Sequence, residues 1–234
     1  MRTVILCGGR GTRAWPATAE IPKPMLEIGG RPVLHHVMEI YARQGFTDFT
    51  LATGYKGEVI AAWVRTLTED WSVDCLDTGE EADTGDRLRS CAERLDGTFF
   101  ATYGDGLGNV DVAATLDRHR AHDGGATVTV VPLPSQYGTI DADDTGRVVA
   151  FREKPLLRDH WINAGFFVFE PDAVTSPPGA SLERDVLPAL GAAGRLYVYR
   201  HDGFWKSMDT HKDVAELNTL AGEEGHPWLA VPTS

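Results

Sequence analysis

Cysteine is scarce in this chain of 234 residues: Cys7, Cys75 and Cys91 are odd in number and widely spaced. They cannot form a disulfide framework, and without a C-x-x-C pair they offer neither a zinc knuckle nor a redox motif. A reducing compartment is the simple reading. Long apolar runs are missing too. Nowhere do about eighteen apolar residues follow one another, and the opening MRTVILCGG is too short an apolar stretch for a signal peptide, so a soluble cytoplasmic protein is expected. Positive charge is the third shortage, with 22 Lys+Arg against 34 Asp+Glu, a net charge of −12, and no Lys/Arg cluster. Such a surface cannot displace counterions along nucleic acid or an anionic membrane, so neither partner is expected. An anionic substrate would need a local site that overcomes the global charge.

What is present points to an α/β protein. The chain is 42% hydrophobic, enough to bury a sizeable core. Short β-branched or aromatic runs alternate with helical patterns, the signature of a sheet with crossover helices. Strands are expected near 3–7, 49–53, 73–76, 98–102, 126–131, 147–152, 162–169 and 195–200. Helices are expected from Pro32 to about Gly45, and over 58–66, 86–95, 111–122 and 210–221. In the first of these, Val33, Leu34, Val37, Met38 and Tyr41 fall on one face. SPPGAS at 176–181 reads as a surface turn. With no repeat, low-complexity stretch or convincing linker, one domain over 1–234 is expected.

The strongest local signal is Gly8-Gly9-Arg10-Gly11-Thr12-Arg13, directly after the first strand. Glycines let backbone N–H groups approach phosphate oxygens, and Arg13 offers a fork that can pair with a polyphosphate. The same turn could merely connect a strand to a helix. It is not a P-loop, because no Lys-Ser or Lys-Thr follows. A dinucleotide fingerprint would require Gly9, Gly11 and Ala14, with Trp15 and Pro16 breaking the helix that should begin there, which disfavours a nicotinamide oxidoreductase. Pro22-Lys23-Pro24-Met25 follows, two prolines holding the backbone extended around a cation.

These strings resemble the opening of the sugar-1-phosphate nucleotidylyltransferases. The resemblance runs on through LEIGGRPVL, TGYKG (53–57), DTGEEADTGDRL (77–88), TYGDG (102–106), YGTID (137–141), FREKP (151–155), INAGFFVF (162–169) and GFWKSMDT (203–210). Within that family KPMLEIGGRPVL, TYGDG and FWKSMDT are most similar to the glucose-1-phosphate cytidylyltransferase branch. Two departures stand out: only about twenty residues separate GYKG from the DTG string, and a usual T-G-G-R reads Thr84-Gly85-Asp86-Arg87.

The resemblance implies a Rossmann-like nucleotidyltransferase fold with a mixed, mostly parallel central sheet flanked by helices. A nucleotide-binding part would span about 1–110 and a sugar-phosphate-binding part about 111–210. It implies a reaction that joins a sugar-1-phosphate to a nucleoside triphosphate and expels pyrophosphate, with positioning and cation clamps supplying catalysis. Arg13 would serve the β/γ oxygens and Lys23 the α-phosphate. Gly8, Gly9, Gly11, Thr12, Thr84 and Gly85 would hold the nucleotide. Asp105 and Asp209 would ligate Mg²⁺, a hard cation that needs only one or two carboxylates when phosphate and water complete its shell. Gly138, Glu153, Lys154 and Asn163 would bind the sugar phosphate. CTP with glucose-1-phosphate is the expected pair; dTTP, GTP or UTP with another sugar-1-phosphate such as a heptose phosphate remains open, as do a homo-oligomer and a non-catalytic sugar-nucleotide-binding protein. Asp86 would favour cytosine if it faced the base. Trp205 is placed either to line the site or to pack. His119 and His122 read as a solvated helix face, and His35-His36 sit beside an apolar stripe.

Overall fold

The computed structural model describes residues 1–12, 18, 20–223 and 225–230. The first half runs β1 (Arg2–Leu6), β2 (Glu27–Ile28), β3 (Arg31–Pro32), α1 (Val33–Ala42), β4 (Asp48–Thr53), α2 (Gly57–Val64), β5 (Ser72–Asp77), α3 (Thr84–Ala92), β6 (Phe99–Tyr103), β7 (Gly106–Gly108) and α4 (Val112–Arg120). The second half runs β8 (Ala126–Pro134), β9 (Thr139–Ala142), β10 (Val148–Arg152), β11 (Leu156–Phe169), α5 (Pro171–Thr175), α6 (Leu187–Ala192), β12 (Leu196–Arg200), β13 (Trp205–Ser207) and α7 (His211–Glu223).

Seven strands form one sheet in the order β12-β8-β11-β6-β1-β4-β5. β11 alone runs antiparallel to its neighbours β6 and β8, so the sheet is mixed and mostly parallel, as the sequence implied. The chain steps outward from β1 to β4 and β5, then returns to the other side of β1 as β6. This reversal opens a crevice beyond the carboxyl ends of β1 and β6, where open α/β sheets place ligands.

Alternation along β1 builds the two layers. Ile5 and Cys7 face α1 and Trp228, whereas Val4 and Leu6 face α3, Phe169 and Leu182. In α1 the expected stripe of Val33, Leu34, Val37, Met38 and Tyr41 is completely buried. Each such side chain contributes roughly 1.5–3 kcal/mol of burial. Gly45, at φ +87°, turns the chain after the helix where a Cβ would be strained, and its N–H donates to the Ala42 carbonyl.

Two expectations need correction. His119 and His122 are not on a solvated face: His119 is 3% exposed, with Nδ1 3.0 Å from Thr127 Oγ1 and Nε2 3.2 Å from Glu170 Oε1. His122 Nε2 lies 2.8 Å from the same threonine, and its ring stacks on Tyr197. The cause is β8 and the end of β11, which pack over this end of α4. The turn at 176–181 lies at the surface as expected, and it is tied down there, since Arg89 donates to the carbonyls of Pro177 and Gly179 and the Asp86 N–H donates to the Ala180 carbonyl. Lys23 does not sit in extended backbone; Pro22 is extended, but Lys23–Met25 forms a 3-10 turn.

Candidate active site

A cleft of about 590 Å³ opens over the carboxyl ends of β1 and β6. Gly8, Gly9, Gly11, Lys23, Thr84, Asp105, Asn163 and Asp209 all line it, so eight of the expected residues meet in one place. Gly11, at φ +60°, has no room for a side chain: a Cβ there would lie 2.8 Å from that of Lys23. Glycine therefore lets the loop lie directly on the lysine stem.

Lys23 is 7% exposed, and its ammonium stands 2.5 Å from Asp105 Oδ2 and 3.0 Å from Asp209 Oδ1. A small ladder brings these distant carboxylates together. β13 pairs antiparallel with β7, Ser207 opposite Gly106, and the Met208 N–H donates 2.9 Å to the Asp105 carbonyl. Asp209 is fixed further by Ser207 Oγ, which donates to its Oδ2, and by its own N–H, which donates to Asp213. Asp213 also accepts from the N–H and hydroxyl of Thr210, closing the first turn of α7 as a capping box. Trp205 donates from Nε1 to the Ala164 carbonyl at 2.7 Å and lines the cleft, so it packs and borders the site at once.

Arg87, the last residue of the DTGDR string, is 3% exposed and collects carbonyls from three segments. It donates to Gly8 and Thr53 at 3.0 Å, to Gly79 at 2.7 Å and to Glu80 at 3.0 Å, and to the Thr78 hydroxyl at 2.7 Å. Burial pulls its guanidinium pKa below the ordinary arginine value. A Cβ on Gly8 would fall 2.1 Å from Nη1, so the glycine is required by this arginine as much as by any ligand. Cys7 also borders the cleft. Burial pushes its thiol well above the usual cysteine range, which keeps it protonated and unfit as a nucleophile.

The remaining expected residues lie elsewhere. Arg13 falls outside the described residues. Thr12 is exposed just beyond Gly11, and Gly85 packs on the Ala180 backbone, where a Cβ would come within 2.7 Å of the carbonyl oxygen. Gly138, Glu153 and Lys154 are gathered on the hairpin of β9 and β10, outside the cleft lining; Lys154 has the left-handed φ of +44°. That hairpin rises from the carboxyl end of β8, the same end of the sheet as the cleft. Asp86 faces Arg89 at 2.6 Å and does not line the cleft, so it says nothing about the base. Tyr103, Asp83 and Glu183 do line it and were not singled out from the sequence. Tyr103 sits two residues before Asp105 at a strand end, a readable position; Glu183 in SLERDV carries no local signal.

A Gly-rich loop, a buried cation and two converging carboxylates at the switch point of an α/β sheet define a protein that handles phosphate esters. A family model described as nucleotidyl transferase matches residues 2–224, and the chain belongs to that family. It is 37% identical over 254 residues to a glucose-1-phosphate cytidylyltransferase of Salmonella typhi, covering 97% of this chain and 98% of the relative. It is 33% identical over 226 residues to a mannose-1-phosphate guanyltransferase of Candida albicans, covering 91% of this chain and 62% of that protein. The crystal structure of HddC from Yersinia pseudotuberculosis complexed with GMP-PN shares the fold at a TM-score of 0.72 and 23% identity, over 93% of this chain and 98% of that one.

Proposed function

We propose that this nucleotidyltransferase joins CTP to glucose-1-phosphate, or to a related sugar-1-phosphate, and releases pyrophosphate. The observation that carries the substrate pair is the likeness to a glucose-1-phosphate cytidylyltransferase along nearly the whole of both chains. The geometry supports the chemistry independently. A phosphate oxygen of the sugar phosphate attacks the α-phosphorus, the bond from that phosphorus to the bridging oxygen breaks, and pyrophosphate departs with the electron pair. The attacking phosphate is already largely ionised near neutral pH, its second pKa being about 6, so no general base and no covalent enzyme nucleophile are needed.

The protein's part is to hold anions together. The Gly8 carbonyl is held by Arg87 and by the Tyr55 N–H, and in a trans peptide this turns the Gly9 N–H the opposite way, away from Arg87. Gly8, Gly9 and Gly11 thus offer the cleft a backbone surface for the triphosphate, with Thr12 and Thr84 beside it and Arg13 assigned to the β/γ oxygens. Lys23 brings an ammonium to the α-phosphate side. Gly85 lets α3 pack closely on the Ala180 backbone, next to Thr84. On the acceptor side Asn163 lies in the cleft, and Lys154 with Glu153 and Gly138 would be brought to the sugar phosphate by the hairpin.

Asp105 and Asp209 are the proposed Mg²⁺ ligands. The donor set fits: both carboxylates converge on a single cation, the Lys23 ammonium, and two carboxylates suffice when phosphates and water complete the shell. The metal would neutralise charge on the reacting phosphates.

A pyrophosphate-release assay with CTP, dTTP, UTP, GTP and ATP against glucose-1-phosphate tests the pair. CTP is expected to give the highest kcat/KM; a clear preference for dTTP or GTP would overturn the cytidylyl assignment.

A further inference from the structure

Between Thr84 and Tyr103, on the lining of the cleft, stands a carboxylate that the proposed reaction leaves unused. Glu183 belongs to a π-helical turn, Leu182–Val186, that leads into α6. Its Oε2 accepts from Thr84 Oγ1 at 2.7 Å and from Ser181 Oγ at 3.2 Å, and its Oε1 accepts from the Tyr103 hydroxyl. Tyr103 is held in turn. Its hydroxyl lies 3.5 Å from Asn163 Nδ2, while Asn163 Oδ1 accepts from the Gly165 N–H at 2.8 Å. Gly165, at φ +81°, allows β11 to pass this ring, since a Cβ there would fall 2.5 Å from Tyr103 Cδ2. The Leu182 N–H donates to Thr84 Oγ1 at 2.9 Å, and of the two carboxylates within reach of that hydroxyl Glu183 lies nearer, at 2.7 Å against 3.4 Å for Asp83 Oδ1.

The polarity of this chain runs one way. Asn163 faces Tyr103, Tyr103 and Thr84 donate to Glu183, and the run ends on an acceptor. An ionised carboxylate has about four lone-pair sites, and the hydroxyls of Tyr103, Thr84 and Ser181 do not fill them. Glu183 is exposed and lines the cleft. A carboxylate pinned by several hydroxyls and open on its remaining side is suited to a ligand that brings further O–H donors, and unsuited to another anion at the same place.

We infer that Glu183 is the hydroxyl-recognising residue of the cleft, fixed by Tyr103 and Thr84 so that its remaining lone pairs accept from the ring hydroxyls of a bound sugar. The inference rests on the proposed reaction, which brings two such rings into the cleft: the ribose of the nucleotide and the hexose of the acceptor. A purely structural glutamate would only tie the 182–186 turn to α3.

Steady-state kinetics of Glu183→Ala and Glu183→Gln, with CTP and glucose-1-phosphate varied in turn, separates these roles. One KM should rise about tenfold or more in Glu183→Ala while the other stays within twofold, because a hydrogen bond to a charged group is lost from one ring only. A rise for CTP identifies the ribose; a rise for glucose-1-phosphate identifies the hexose. The same variant should show no added penalty against the deoxy analogue that lacks the recognised hydroxyl, drawn from 2′- and 3′-deoxy CTP and the deoxyglucose-1-phosphates. Tyr103→Phe, which leaves the carboxylate but removes its pin, should raise the same KM by a smaller factor. Unchanged KM values, or a penalty that persists against every deoxy analogue, would overturn the inference. Wild-type protein that releases pyrophosphate with no pair would instead remove the proposed reaction, and the inference with it.

Discussion

The Lys23 ammonium stands between Asp105 and Asp209, and that explains why the two carboxylates can sit close together. An ammonium between two carboxylates screens their repulsion, and a buried lysine left without such partners would be costly. Each aspartate also serves one more purpose: Asp105 gives its carbonyl to Met208, and Asp209 joins the cap of α7. Replacement by asparagine keeps these backbone contacts and the side chain's shape, while it removes the charge and turns one acceptor oxygen into an amide donor. Asp105→Asn and Asp209→Asn should therefore retain the wild-type circular dichroism spectrum while kcat falls by about 10²–10³, the usual scale for losing one electrostatic contact to a transition state. Full turnover of both variants with Mg²⁺ would remove the assignment of these residues.

At the scale of elements, α1 is anchored by a histidine that must stay neutral. His36 is 1% exposed, its Nε2 lies 2.8 Å from the Ile28 carbonyl, and its ring meets those of His35, His226 and Trp228. Burial pushes its pKa down from 6.5 to about 4, against the smaller upward pull of the Ile28 carbonyl, and His226 and His35 add to the fall while Glu39 opposes it. As pH drops from about 6.5 towards 4, the unfolded chain takes up a proton that the folded protein does not. Its stabilising share, complete above about 6.5, is lost at up to about 1.4 kcal/mol per pH unit across that window. Thermal melts between pH 7.5 and 4 should show His36→Gln losing less stability than wild type; equal losses would contradict this account of the helix. The apolar stripe that seats α1 was fully legible from the sequence, because five positions, Val33 to Tyr41, fall at helical spacing. The ladder of β7 and β13 was not: three-residue strands carry no periodicity, yet this pair places Asp209 beside Asp105. His119 was misread for a related reason, since its partners, Thr127 of β8 and Glu170 just after β11, lie outside its own helix. Glu183 was invisible because its meaning comes from Tyr103 and Thr84, both distant in sequence.

For the whole molecule, a net charge of −12 repels the very substrates that the cleft is built to bind. The sheet answers by focusing what it has at one end: backbone N–H groups after β1, Lys23 beside them, and the carboxylates of Asp105 and Asp209, the proposed Mg²⁺ ligands, beyond the carboxyl ends of β1 and β6. Family strings made most of this site readable, since they run in order through the chain, but the hairpin that carries Glu153 and Lys154 stands apart from the cleft in a way no string conveys. The most direct test follows the α-phosphorus. With Mg²⁺, glucose-1-phosphate and CTP labelled in parallel at the α- or the γ-phosphorus, nucleotidyl transfer puts the α label into a nucleotide sugar and the γ label into pyrophosphate, in equal amounts and only when the sugar phosphate is present. Recovery of the γ label as inorganic phosphate with the α label in CDP, or no movement of either label, would contradict it.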